Sequence, residues 1–174
     1  SGSYFNHNDQ SFRIVTFLER AYLDFDGLNL TLETLEGISK HNWPIKKLND
    51  KSSLYKFNKN IADLNLSLFP SLEAQIASIS DDIAYINHDL DDGFRANLLK
   101  INELKKISIY NELDKELVSF MNLILKKKGK LFLQKYKKEI VRRLINTMVV
   151  NLIKETESNI KKLKPKNIKD IKTA

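Results

Sequence analysis

Residues 71–92, SLEAQIASISDDIAYINHDLDD, constrain the fold more than any other stretch of the chain. At about 100° of turn per residue, Leu72, Ile76, Ile79, Ile83, Ile86 and Leu90 fall into one apolar seam, which predicts a helix with that side against a core. The opposite side carries Ala74, Ala77 and Ser78, then Asp81, Tyr85, His88, Asp89 and Asp92. A merely solvated face usually carries long charged residues that favour helix, yet no Lys or Arg stands between Lys59 and Arg95. Small residues followed by short acids are expected where another element packs or a ligand binds. An acidic stripe in plain water reads the same way. Asp81, Tyr85 and Asp89 step by four, so three hydrogen-bonding side chains share one ridge within reach of a single ligand.

The rest of the chain points to helices as well. Five Gly, three Pro and 42% hydrophobic residues favour an all-α domain. The 174 residues suffice for one helical domain, 1–174, with Ser1-Gly2-Ser3 set aside as extraneous and 164–174 as a Lys-rich, frayed tail. Cysteine is absent, which removes disulfides, thiolate ligands and thiol nucleophiles. No apolar run approaches the roughly 20 residues of a membrane span, and no signal peptide opens the chain. The expectation is a cytoplasmic protein. The net charge of +7 is uneven, because 61–94 lacks any base while Lys accumulates beyond Lys100. Such a field can attract single-stranded nucleic acid or a regulatory nucleotide. Solvated Lys faces in a Lys-rich composition give the same pattern.

A first helix is expected from Asn8 or Asp9, either as cap, to about Phe25, burying Ile14, Leu18, Ala21 and Phe25. His7 stands at its start, with Asn8, Gln10 and Arg13 near amides that favour anions. Asp26-Gly27 turns the chain. Thr31 caps a second helix to Lys40, ended by His41-Asn42-Trp43-Pro44. Residues 45–60 read as an exposed loop or weak helix, and Ser71 caps the central helix. Gly93 is expected to interrupt that helix. Another helix spans about 110–125 and ends at Gly129. The last, about 131–163, buries Phe132, Tyr136, Ile140, Leu144, Met148 and Leu152, widened by Val141, Ile145, Val149 and Ile153. Its length of about 50 Å calls for a partner chain, such as a second copy, or for further sequence.

No metal site is complete in these residues: the three His are far apart in sequence, and Asp81 and His88 are about 10 Å apart along the axis. Neither a Gly-rich phosphate loop nor a serine elbow occurs. Four stretches nonetheless carry a resemblance: FNHNDQSFRIVT (5–16), FDGLNLTLETLEGISKHN (25–42), EAQIASISDDIAYINHDLDDGFRANLL (73–99) and RRLINTMVVNLIKET (142–156). In order and spacing they resemble the deoxyguanosine triphosphate triphosphohydrolase-like proteins of the HD-domain phosphohydrolase superfamily. DDIAY followed by HDLDDG is the most specific of these matches.

The resemblance implies an all-α, HD-domain-like helical bundle, here its C-terminal portion with a long C-terminal helix. It also implies hydrolysis of a deoxynucleoside triphosphate, dGTP or a similar one, to deoxynucleoside and triphosphate with a divalent metal such as Mg or Mn. Asp81 matches the last metal ligand, Tyr85 the aromatic stacked on the deoxyribose, and Asp89 the acceptor of the sugar 3′-hydroxyl. His7 matches a catalytic His that contacts the phosphates; His41 and His88 receive no chemical role. The family's first metal-binding His and its His-Asp pair lie upstream of a segment like 1–8. The chain is therefore expected to be a C-terminal portion, inactive alone. Trp43 stands where the family has Gly, and Leu32 where it commonly has an aromatic. Two other functions fit the residues: a non-catalytic helical interaction or oligomerisation module, and a Lys-rich nucleic-acid-binding domain.

Overall fold

The computed structural model describes residues 6–41, 54, 64–104, 106–110, 113, 117 and 130–174. Among them every regular element is helical: α1 His7–Arg13, continued by a π-helical stretch Ile14–Leu18, then α2 Leu32–Ser39, α3 Leu72–Arg95, α4 Ile101–Leu104, α5 Lys130–Leu163 and α6 Ile168–Lys172. Two compact units are distinguished, one of 1–79 with 163–174 and one of 80–162, so that α3 runs from the first into the second.

In the first unit, Phe12, Leu54, Leu64 and Leu66 form the buried cluster, with Leu35 of α2 packed on it. α1 is capped by Asn6, two residues earlier than expected, whose side chain accepts from the amides of Asn8 and Asp9 at 2.9 and 3.2 Å. Asp9 instead accepts the Leu54 amide at 2.9 Å. The first helix does not reach Phe25. It ends at Leu18, where Glu19 turns extended, because the chain folds back on itself: the Gly27 amide donates to Glu19 and the Leu28 amide to Val15, both at 2.8 Å. That return needs glycine. Gly27 has φ +73°, and a Cβ there would lie 2.5 Å from the Thr16 carbonyl. In consequence Ile14, Leu18, Ala21 and Phe25, expected in the core, are exposed, and Phe12 takes their place.

α2 keeps its expected bounds, with Thr31 receiving the Thr34 amide as N-cap and Lys40 closing the other end. Ser71 caps α3 by accepting the Ala74 amide at 3.3 Å. The Glu73 backbone amide, and after it the Ser71 hydroxyl, lower the Glu73 carboxyl pKa by hydrogen bonding. The tail is not frayed. Asn167 and Asp170 form a reciprocal capping box that starts α6, and the Phe69 amide donates to the Lys172 carbonyl at 3.0 Å.

In the second unit, Phe94, Leu104, Tyr110, Leu117, Tyr136, Ile140 and Leu144 make the core. Gly93 does not interrupt α3, which continues to Arg95. Its role is space: a Cβ there would lie 2.6 Å from Leu99 Cδ1. The seam of α3 in this unit runs Ile83, Asn87, Leu90 and Phe94, with Ile86 exposed. The buried Asn87 amide nitrogen donates to the Ile83 carbonyl at 2.7 Å and reaches Met148 Sδ at 3.5 Å, while its Oδ1 has no hydrogen-bond partner among the described residues. Ile79, in the first unit, is also exposed rather than buried. α5 has the expected extent and buries Tyr136, Ile140 and Leu144, while Ile145, Val149 and Ile153 remain exposed. The expected loop 45–60, apart from the buried Leu54, the Trp43-Pro44 stop and most of the 110–125 helix lie outside the described residues.

On α5, Arg142 and Arg143 both bond Glu139, three of the four contacts at 2.8 Å. Those hydrogen bonds lower the Glu139 pKa. A carboxyl that ionises more readily folded than unfolded stabilises the fold above the ordinary range of about pH 4. That contribution fades as pH falls through the lowered folded value. Glu139→Gln should therefore reduce the loss of stability between about pH 4 and pH 2, measured by urea unfolding at a series of pH values.

Candidate functional site

The central ridge divides by chemistry. Its small residues serve packing in the first unit: a Cβ on Gly37 of α2 would lie 3.0 Å from Ala74 Cβ, so two backbones approach where neither carries a bulky side chain. The Ser78 hydroxyl donates to the His41 carbonyl at the end of α2. This accounts for Ala74 and Ser78 without a ligand, while Ala77 is exposed.

The acidic and aromatic residues are different. Asp81, Tyr85 and Asp89 all lie in the uninterrupted helix α3 and all are exposed, Tyr85 by 68%. Each step of four along the axis is about 6 Å, so the three span about 12 Å in line. A phenol ring this exposed is not held by a core. His88 and Asp92, also exposed, lie next to that line. Asp89 additionally borders a cavity of about 280 Å³ whose other walls are mostly apolar, among them Leu90, Leu99, Leu144 and Met148.

His7 is the first residue of α1 and exposed. It belongs to the first unit, whereas Asp81, Tyr85 and Asp89 belong to the second. Beside it is a residue to which the sequence assigned no chemistry: the rings of His7 and His41 meet edge to face, with centroids 6.2 Å apart. His41 also lines a cleft of about 450 Å³ with Glu33, Gly37, Glu73 and Ala77. Spacing alone could not pair two histidines separated by a whole helix and turn.

Under the end of α2 lies a buried ionic group. Lys40 bonds one oxygen of Glu36 and, at 2.7 Å, the Asn65 carbonyl, while Lys172 of α6 holds the other Glu36 oxygen at 2.6 Å. Burial lowers the Lys40 pKa against the opposing effect of Glu36. The spacing of four between Glu36 and Lys40 was the clue to this group available in the sequence.

Among the described residues no three His, Asp or Glu side chains are grouped to hold a metal ion. Asp81 offers one carboxylate, so these residues do not make a metal site on their own. Nor is any described helix long and apolar enough to cross a membrane.

No family model matches the chain. Among curated proteins, it is 44% identical over 154 residues to a deoxyguanosinetriphosphate triphosphohydrolase-like protein of a Caulobacter species, covering 87% of this chain and 37% of that one. The protein of the same name from Bartonella quintana is 42% identical over 175 residues, covering 98% of this chain and 42% of its own. That from Roseobacter denitrificans is 53% identical over 107 residues, covering 62% of this chain and 27% of its own. The chain thus spans about two fifths of the first two relatives.

Proposed function

We infer, from a chain that belongs to the deoxyguanosinetriphosphate triphosphohydrolase-like family, that it carries part of a site hydrolysing a deoxynucleoside triphosphate to deoxynucleoside and triphosphate. The observation that carries this reading is the exposed line of Asp81, Tyr85 and Asp89 on one helix. A carboxylate at one end suits a metal-bound phosphate, and an aromatic and a second acid about 6 and 12 Å further on suit a sugar. Tyr85 would lie against the deoxyribose and hold it away from water. Asp89 would accept the 3′-hydroxyl, and His7 would face the phosphates and support departure of the leaving group. When bound, a divalent metal such as Mg or Mn supplies a polarised phosphoryl oxygen and an acidified water. Asp81 would be one of its ligands, the others coming from polypeptide outside this chain, in an HD-domain arrangement.

The test joins the part of the Bartonella quintana relative that precedes its matched region to this chain and follows triphosphate release from dGTP with Mn²⁺. The isolated chain should release none and the joined protein should turn over. Turnover by the isolated chain at the rate of the joined protein would refute the division of ligands.

A second reading rests on a cleft of about 570 Å³ in the second unit, lined by Arg95, Asn97, Gln134, Lys135, Lys137 and Lys138 among others. Lys137 there donates to the Phe94 carbonyl at 3.0 Å. Three lysines along one cleft, beside an Arg95 paired with Asp91 at 2.7 Å, suit a polyanion, for example single-stranded nucleic acid. Such binding should weaken steeply as salt rises; affinity for an oligonucleotide that does not change with salt would dismiss it.

A further inference from the structure

We propose that Lys172, on the C-terminal helix, is a positioning residue that holds the end of α2 and thereby sets His41 against His7. Glu36 and Lys40 form a complete ion pair by themselves, one acid and one base, both buried. Adding Lys172 puts two cations on one anion. Charge balance does not call for the second cation, and taking a further ammonium out of water is unfavourable. What Lys172 contributes is a tether: its Nζ reaches Glu36 at 2.6 Å, while its own backbone carbonyl receives the Phe69 amide at 3.0 Å. A residue distant in sequence is thus fixed at both ends to the unit that carries α2.

The consequence falls on the next residue along. Lys40 is 1% exposed, and its ammonium is held by Glu36 and by the Asn65 carbonyl. His41 follows it directly, with its carbonyl held by Ser78 and its ring against that of His7. The turn at His41 is therefore clamped from α3 through Ser78, and from α6 through Lys172, Glu36 and Lys40. A methylene stem such as Met at 172 would fill the same space and leave the Glu36–Lys40 pair balanced, yet remove the tether. The geometric claim stands on these contacts alone; that the corner faces phosphates rests on the proposed hydrolase site.

The experiment uses the full chain with ¹³C-labelled histidine and reads the nuclear Overhauser effect between the His7 and His41 rings. Lys172→Met should lose that effect and shift the His41 ring resonances, Lys172→Arg should restore both, and circular dichroism at room temperature should match the unsubstituted chain in both variants. An inter-ring effect that survives Lys172→Met overturns the proposal, and so does its loss in Lys172→Arg as well. Should Lys172→Met be poorly folded, Lys172→Leu, which likewise offers no donor to Glu36, is read in the same way. In the joined protein, loss of the ring contact without any change in kcat or KM for dGTP would keep the tether and contradict the role given to His7, so the two failures are distinguishable.

Discussion

Asp81→Asn should lower kcat for triphosphate release in the joined protein by roughly a thousandfold, about 4 kcal/mol, the magnitude expected if the proposed charge stabilisation at a metal-bound phosphoryl group is lost. The substitution is nearly isosteric and lies on an exposed helix face, so stability should change by no more than about 0.5 kcal/mol. The contrast between a large kinetic effect and a small structural one is the point of the comparison. Asp89→Asn acts differently. It should raise KM for dGTP by roughly tenfold or more, as expected for losing a charged hydrogen-bond acceptor, and make little difference with the dideoxy nucleotide, which lacks a 3′-hydroxyl. An equal penalty with both nucleotides would show that Asp89 does not contact the sugar. These expectations rest on position: Asp81, Tyr85 and Asp89 stand four residues apart on a helix that Gly93 does not break.

Glu36→Ala has the largest expected effect on stability, about 3–5 kcal/mol, because it strips the shared carboxylate from two largely buried ammonium groups. Lys40 has a fully buried side chain, and that of Lys172 is 12% exposed. Without Glu36 the desolvation that already lowers the Lys40 pKa acts unopposed. Urea unfolding followed by circular dichroism should show a lower midpoint, with the deficit shrinking as pH rises toward the ordinary lysine range of about 10 and Lys40 becomes neutral in the folded variant. Replacing Glu36 and Lys40 together by apolar residues should recover part of the loss. A Glu36→Ala chain as stable as the original would mean that the buried group contributes nothing to the fold.

Much of this arrangement was legible in the residues, and what was not has a common cause. Caps and periods are local, so Thr31 and Ser71 marked the starts of α2 and α3, and the stepped apolar residues of 131–163 marked α5. The ridge was legible because lysine is missing from it. Where α1 ends was not legible, since it depends on amides of Gly27 and Leu28 returning to Glu19 and Val15. The exact seam of α3 was not legible either. Ile86 looks more apolar than Asn87, but which of the two is buried depends on what α5 presents, and Met148 meets Asn87. Lys172 lay hidden among the tail's other lysines, since composition cannot separate one tethered ammonium from several solvated ones. His41 gained a place only through the fold, which brings it to His7.

The central claim is that Asp81 anchors an ion and Asp89 a sugar on one helix face. Manganese is paramagnetic and broadens nearby resonances, so the direct measurement is an amide spectrum of the joined protein, labelled in this chain, titrated with Mn²⁺ and a non-hydrolysable dGTP analogue. The account predicts broadening centred on Asp81, falling off through Tyr85 toward Asp89, and absent in Asp81→Asn. Broadening centred on Asp91 and Asp92, or unchanged by that substitution, would contradict it.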